Sequence, residues 1–199
     1  MNKNTEQILT PLVISNLPTE YGVFRIMAFD SGIEALPNVV LDNMKERNTI
    51  ANVRIHSECM TGDVFRSVKC DCGEQLLSAM QYIEQHGGII IYLRQEGRNI
   101  GLVNKLKAYN LQEQGMNTIE ANHSLGFHTD QRSYEDALAI LRYLGHHKIN
   151  LLTNNPDKIA AFDNSDITVL SRIPLQTKPR PENESYLSTK RDSLGHWFS

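Results

Sequence analysis

The sequence has little cysteine and no long apolar run. Its three cysteines, Cys59, Cys70 and Cys72, are odd in number and lie within one short stretch, which excludes a framework of disulfides. Without the roughly 20 consecutive apolar residues of a membrane span, we expect no membrane partner. The polar start MNKNTEQ lacks the layout of a signal peptide, so we expect a cytoplasmic protein.

The chain also lacks a strong net charge. Twenty Lys and Arg residues stand against 23 Asp and Glu residues, and the basic residues are scattered, so we expect no nucleic-acid partner. There is no repeat or low-complexity tract. We therefore predict one domain over residues 1–199, in which a tail at about 175–199, rich in Pro and charge, is either mobile or ordered by a partner subunit.

The remaining pattern alternates short β-branched runs with segments of helical spacing. This order predicts an α/β (α+β) fold, a mixed sheet with helices packed on it. The run GIIIYL predicts a strand buried on both faces. Ser133 and Asp136 predict a capping box, and Pro156 lies where a helix would begin. The predicted strands are 51–55, 88–93, 149–153 and 167–170; the predicted helices are 75–85, 101–114 and 133–144.

Polar strings lie at the ends of three of these strands, namely RIHSEC, RQEGRN and TNNPDK. RQEGRN could present backbone N–H groups and two guanidinium groups to an anion such as a triphosphate, and TNNPDK adds hydroxyl, amide and ammonium groups. Asp130 and Arg132 could serve as a proton acceptor and a partner for an anion. Each string also has an ordinary interpretation, as a solvated loop, a helix start or a surface ion pair.

The cysteines are spaced Cys59-x10-Cys70-x-Cys72. Three neighbouring thiolates suit Zn²⁺, and three protein ligands without a fourth indicate a catalytic site open to water. Bound zinc lowers the pKa of its water to about 7, which supports hydrolysis. The cysteines could instead be three ordinary buried residues, or they could form a structural site with His56 as the fourth ligand.

Taken together, the strings resemble GTP cyclohydrolase II. The matching segments are 54–76, 92–115, 118–132 and 151–159, and the resemblance extends from about Ser15 to Gly195. It implies an enzyme that opens the imidazole ring of GTP and releases C8 as formate, with loss of pyrophosphate. The product would be 2,5-diamino-6-ribosylamino-4(3H)-pyrimidinone 5′-phosphate, in the first step of riboflavin biosynthesis.

The resemblance also implies roles for individual residues. Cys59, Cys70 and Cys72 would hold one zinc per subunit, Asp130 would be the proton acceptor, and Arg132 would attack the α-phosphorus. Tyr109 matches a catalytic tyrosine near the base, and Gln75 would read the guanine. Mg²⁺ would accompany the triphosphate in a homodimeric enzyme. The implied GTP-binding positions are Arg54, Ile55, His56, Ser57, Glu58, Gln75, Glu96, Gly97, Arg98, Thr118, Thr153 and Lys158.

One segment departs from the family pattern. Residues 178–187, KPRPENESYL, lack the Gly and Asn positions of the common GRNPxNxxYL string, which leaves open a specialised paralogue with a different end product. The sequence is also compatible with a zinc nucleobase deaminase, suggested by His56-Ser57-Glu58, or with a non-catalytic GTP-binding protein. Against the deaminase, Cys70-x-Cys72 lacks the proline and the two-residue spacing that such an enzyme requires.

Overall fold

The computed structural model describes residues 9–33, 35–45 and 50–197. Within these ranges the strands form one seven-stranded sheet. The strands are β1 (Val13–Thr19), β2 (Gly22–Phe29), β3 (Asn38–Asp42), β4 (Ala51–Ser57), β5 (Ile89–Leu93), β6 (Lys148–Leu152) and β7 (Thr168–Ile173).

The sheet is mixed, as the sequence predicts. Its order is β1-β2-β3-β5-β4-β6-β7, with antiparallel pairing from β1 to β5 and parallel pairing from β5 to β7. Because β4, β5 and β6 run parallel, their carboxyl ends meet at one edge of the sheet. The three polar strings therefore lie together at that edge.

The helices confirm the predicted segments at 75–85, 101–114 and 133–144, and Pro156 begins a further helix as predicted. The helices of the described residues are α1 (Met60–Asp63), α2 (Cys72–His86), α3 (Glu96–Asn99), α4 (Gly101–Glu113), α5 (Thr118–Ser124), α6 (Glu135–Tyr143), α7 (Pro156–Ala160) and α8 (Glu184–Leu194). None of them is both long and apolar enough to cross a bilayer.

The core lies on both faces of the sheet. Ile89 and Ile91 of β5 belong to the cluster that contains Ile140 of α6, whereas Ile90 packs with Ile83 of α2 on the opposite face. Burial on both faces explains the unbroken apolar run of β5, because neither face meets water. Helices on both sides thus hold the strands whose ends carry the polar strings.

The capping box predicted at Ser133 and Asp136 is wrong. Helix α6 follows Tyr134, which makes no side-chain cap, and the Asp136 carboxylate instead accepts a hydrogen bond from Asn38 Nδ2 at 2.7 Å. A capping box exists at the start of α5, between Asn117 and Glu120. The spacing of these residues alone could not predict that Asn38 of β3 would donate a hydrogen bond to the Asp136 side chain.

Three antiparallel strands lie before residue 51, where no element is predicted from the sequence. Strand β1 is an exposed edge strand that contains Pro18, and of the three strands only β3 shows regularly alternating burial. Proline and solvent exposure weaken the strand pattern. The tail contains helix α8, whose Tyr186 and Lys190 face the rest of the chain.

Candidate active site

The three cysteine sulfurs lie together at the carboxyl edge of β4. Cys59 precedes α1, and Cys70 and Cys72 lie at the start of α2. Their Sγ atoms are all within 4.8 Å of one another. A Cβ at Gly62 would lie 3.0 Å from Cys70 Sγ and 3.2 Å from Cys59 Sγ, so glycine at this position leaves room for the cluster.

The three thiols interact with one another, and Cys59 Sγ lies 3.6 Å from Cys70 Sγ. The Cys70 and Cys72 thiols hydrogen-bond to Cys59, which lowers the pKa of Cys59. The hydrogen bond to Cys59 raises the pKa of Cys70 to about 11. Three sulfurs at this separation fit a thiolate-rich metal site.

His56 is not part of this cluster. Among the described residues the group consists of the three cysteines, and His56 Nε2 lies 3.1 Å from both oxygens of the Asp63 carboxylate. Asp63 also accepts hydrogen bonds from Tyr92 Oη and from the backbone N–H of Cys59, both at 2.9 Å. The interpretation of His56 as a fourth ligand is therefore wrong, because its imidazole is bound to Asp63, which supports the Cys59 loop.

The cysteines line a cavity of ≈ 350 Å³ at the ends of the parallel strands. Seven Lys and Arg residues line it against four Glu residues, although the whole chain carries a net charge of −3. A concave site with a local excess of positive charge favours an anionic ligand. The basic lining residues are Arg54, Lys69, Arg98, Lys105, Arg132, Lys158 and Lys190.

Most of the predicted site residues meet at this cavity. Two do not line it: the Ile55 side chain is fully buried in the sheet core, and Asp130 lies behind Arg132. Ile55 contributes only its backbone carbonyl, which accepts a hydrogen bond from Lys158. The predicted residues that line the cavity are Arg54, His56, Ser57, Glu58, Cys59, Cys70, Cys72, Gln75, Glu96, Gly97, Arg98, Tyr109, Thr118, Arg132, Thr153 and Lys158.

Arg54 lies inside the protein beside Gln75. Its guanidinium donates to Gln75 Oε1 at 2.7 Å and to the carbonyl of Leu152 at 3.0 Å. Burial lowers the pKa of Arg54 to about 10, so the group remains charged at neutral pH. Arg54 Nε has no hydrogen-bond partner among the described residues, which is unusual for a buried donor.

The short segment α3, which follows β5, has a strained and non-helical backbone at the cavity. Gly97 and Arg98 both have φ of 61°, in the left-handed region, where a non-glycine residue such as Arg98 is disfavoured. The preceding Glu96 accepts from the backbone N–H of Met60 at 2.6 Å and from Lys105 Nζ at 2.8 Å. Glu96 thus ties this segment to the start of α1, next to Cys59.

Lys105 also contacts the cysteine cluster directly. Its ammonium lies 3.1 Å from Cys59 Sγ. Although burial alone would lower it, the charge of Cys59 and the hydrogen bond to Glu96 raise the pKa of Lys105. Tyr109, one turn along α4, hydrogen-bonds to Thr61 Oγ1 at 3.3 Å, and burial raises the pKa of its phenol. Both side chains therefore hold protons beside the cysteine cluster.

At the end of β6, Lys158 donates to the carbonyl of Ile55 at 2.7 Å. Burial, followed by the positive charges of Arg54 and Arg132, lowers the pKa of Lys158. Asn155 caps α7, and its buried Nδ2 has no hydrogen-bond partner among the described residues. The surplus of donors here is what an anion would satisfy.

Arg132 lines the cavity with its guanidinium held by Asp130. Nε and Nη2 donate to the Asp130 carboxylate, so Nη1 makes no bond to it. Although burial opposes the charged form, the hydrogen bonds from Arg132 lower the pKa of Asp130, and the same bonds raise the pKa of Arg132. The pair presents a fixed guanidinium to the cavity.

Three residues that lie at or support the site were not predicted from the sequence. Lys105 lies within a segment of helical spacing, Asp71 lies between two cysteines, and Lys190 belongs to the tail. Only Asp71 carried a local signal, its place inside the cysteine motif. The other two reach the site through tertiary packing.

A family model described as GTP cyclohydrolase II matches residues 12–174. The chain belongs to the GTP cyclohydrolase II family. The prediction of an enzyme of this family, a hydrolase of riboflavin biosynthesis, is thereby confirmed. The matched residues include the cysteine cluster and the three polar strings.

Curated relatives agree with this assignment. GTP cyclohydrolase-2 of Campylobacter hominis is 49% identical over 92% of this chain and 92% of its own length. GTP cyclohydrolase-2 of Neisseria gonorrhoeae is 48% identical over 97% of this chain and 98% of its length. The riboflavin biosynthesis protein RibBA of Chlorobium phaeovibrioides is 47% identical over 94% of this chain, which spans only 46% of that relative.

Proposed function

We propose that this chain hydrolyses GTP at C8 of guanine, releases formate and pyrophosphate, and forms 2,5-diamino-6-ribosylamino-4(3H)-pyrimidinone 5′-phosphate. The observation that carries the proposal is a cationic cavity that contains three clustered cysteine sulfurs. One water molecule opens the ring, a second releases formate and a third replaces pyrophosphate. This reaction needs a group that activates water beside a binding site for a triphosphate. The cysteine cluster supports the first role, and the basic residues that line the cavity support the second.

Cys59, Cys70 and Cys72 would hold one zinc ion, because three neighbouring thiols are a donor set that zinc prefers. When bound, zinc would act as a Lewis acid and lower the pKa of a water molecule to about 7. Lys105 Nζ, 3.1 Å from Cys59 Sγ, balances the negative charge of the ligands. The Tyr109 hydroxyl, protonated and hydrogen-bonded to Thr61, can donate a hydrogen bond to the group formed at C8.

The cavity offers separate surfaces to the base and to the phosphates. Gln75, fixed by Arg54 at 2.7 Å, would bind the guanine edge. Lys158 and the unpartnered Asn155 Nδ2 would bind phosphate oxygens at the end of β6, and Arg98 would do so from the segment after β5. Ser57, Glu58, Thr118 and Thr153 complete the lining as further contacts to the nucleotide.

Arg132 would bind the α-phosphate and assist the departure of pyrophosphate. Asp130 orients its guanidinium through Nε and Nη2, leaving Nη1 on the other side of the group. After giving a proton to Asp130, the guanidinium could attack the α-phosphorus and expel pyrophosphate, and the third water molecule would then cleave the P–N bond and release the nucleotide. Mg²⁺ bound to the triphosphate would neutralise charge on the leaving pyrophosphate.

We also propose a homodimer located in the cytoplasm. Exposed apolar side chains on and beside α1 and α4, namely Val64, Phe65, Val103 and Leu106, support a surface covered by a second copy. The molar mass in solution, measured by light scattering, would show two chains if this is correct and one chain if it is not.

The experiment that tests the reaction is product analysis on GTP before and after chelation. We expect formate and pyrophosphate in equal amounts from the purified enzyme, and loss of both after zinc removal. Release of ammonia in place of formate would support a deaminase. Thermal protection by GTP without any product would support a binding protein. Accumulation of a formylated pyrimidine would indicate a paralogue with a different end product.

A further inference from the structure

The C-terminal helix α8 lies outside residues 12–174, the segment that the family model matches, but it closes one side of the cavity. The segment around it is held to the rest of the chain at both ends. Before the helix, Arg180 pairs with Glu74 of α2, and after it the backbone N–H of Trp197 donates to the carbonyl of Asn154 at 3.0 Å. The segment that contains α8 is thus attached to α2 and to the residues between β6 and α7.

Within α8, Lys190 makes a buried ion pair with Asp71. Lys190 Nζ lies 2.6 Å from Asp71 Oδ1, and Asp71 is fully buried between Cys70 and Cys72. The second oxygen, Asp71 Oδ2, accepts from Gln75 Nε2 at 2.6 Å. A continuous chain of contacts therefore joins α8 to the amide of Gln75.

Donor and acceptor chemistry fixes which way this amide points. A carboxylate only accepts hydrogen bonds and a guanidinium only donates them. With Asp71 at Nε2 and Arg54 at Oε1, the amide of Gln75 has one satisfied orientation. Turning the amide over exchanges its donor and its acceptor. The exchange matters because guanine has an acceptor at C6 and a donor at N1, whereas adenine has a donor at C6 and an acceptor at N1.

We propose that Lys190 is a positioning residue for base recognition: it anchors Asp71, and Asp71 sets the orientation of the Gln75 amide that selects guanine. The inference rests on the proposed function, in which the cavity binds GTP. Without Lys190, the Asp71 carboxylate has no ion-pair partner within the described part of the chain and can turn away from Gln75, so that Arg54 alone holds the amide. Selectivity for guanine then falls, while the phosphate contacts remain.

The test compares Lys190→Met with Lys190→Arg, which keeps the charge, and with Arg191→Met on the exposed face of the same helix. Calorimetry would measure binding of the α,β-methylene analogue of GTP and of ATP. We expect Lys190→Met to weaken binding of the GTP analogue by about tenfold to a hundredfold, the range for a charge-assisted hydrogen bond. The ratio of its affinities for the GTP and ATP analogues should fall as well. Lys190→Arg and Arg191→Met should keep the preference.

Turnover of GTP gives a second readout. KM should rise more than kcat falls in Lys190→Met, and the zinc content should stay as in the wild type. Asp71→Asn should also reduce the preference for the GTP analogue over the ATP analogue. Adding Lys190→Met to Asp71→Asn should reduce this preference little further, because both residues act through the amide of Gln75. If Lys190→Met does not fold, Asp71→Asn alone decides the question.

A folded Lys190→Met or Asp71→Asn variant with the wild-type preference for guanine would overturn the inference and leave the proposed function intact. Failure of the wild-type protein to bind the GTP analogue would instead overturn the proposed function.

Discussion

Gly73, in the first turn of α2, packs directly against the backbone of Gly62 in α1. A Cβ on Gly73 would overlap the carbonyl oxygen of Gly62, and a Cβ on Gly62 would lie among the cysteine sulfurs. The two glycines let α1 and α2 approach closely enough to bring Cys59 to Cys70 and Cys72. The geometry of the cysteine cluster thus depends on two residues that carry no side chain.

We expect Gly73→Ala to separate α1 from α2 and to lose the bound metal. An overlap with backbone cannot be relieved by rotating a side chain, so the helices themselves must move. Overpacking of this kind costs about 1–3 kcal/mol of unfolding free energy. Gln81→Ala, an exposed position on the same helix, is the control. Zinc analysis that finds equal metal in the two variants would contradict the prediction.

Arg132→Lys should reduce turnover severely while leaving part of the GTP binding. Lysine keeps the charge but not the planar group that donates through both Nε and Nη2 to Asp130. We expect kcat to fall about a hundredfold or more, as for loss of a group aimed at the reacting centre. Arg142→Lys, on the surface, should change little. Activity close to the wild type in Arg132→Lys would remove Arg132 from the mechanism.

Lys105→Met should reduce the rate of formate release by about tenfold to a hundredfold, because it removes two charge-assisted hydrogen bonds, to Glu96 and to Cys59. Lys107→Met, at an exposed position on the same helix, is the matched control. Steady-state assays on GTP would compare the two variants. Equal rates would show that the ammonium beside Cys59 has no part in the reaction.

Because of His56, the free energy of unfolding should decrease as the pH falls below about 6.5, the pKa of an unperturbed histidine. Burial lowers the pKa of His56 in the folded state, and Arg54 and Lys158 add to the shift against the opposing effect of Asp63. The unfolded chain therefore takes up a proton first, so the contribution of His56 to stability is complete above about pH 6.5 and is lost as the pH falls towards the lower folded value.

Urea unfolding between pH 5 and 8 tests this dependence on pH. His56→Gln, which can still bond to Asp63, should flatten the loss of stability at acidic pH, and the exposed His86→Gln should not. The same slope in both variants would show that another group causes the dependence.

The sequence predicted the parallel half of the sheet because its strands are short, apolar and bounded by turns. Strand β5 is the clearest case, since IIIYL is buried on both faces. It did not predict β1, where exposure and Pro18 remove the pattern. Edge strands read poorly from sequence because their neighbours, not their own residues, determine the pairing.

For the site, linear motifs identified the side chains that the ends of β4, β5 and β6 carry. They could not identify Lys105 and Lys190, because a helical lysine has the same local pattern whether it faces water or a buried carboxylate. Nor could spacing show that Ile55 points into the core, since only its carbonyl faces Lys158. These placements follow from how α4, α8 and α7 pack, which no short motif encodes.

The fate of C8 can be followed directly with GTP labelled by ¹³C at that atom. Incubation with the zinc-loaded enzyme, observed by NMR, should convert the C8 signal into that of formate, one formate for each GTP consumed. A label that stays within the nucleotide, or GTP that persists unchanged, would show that the cysteine site does not direct hydrolysis to this carbon.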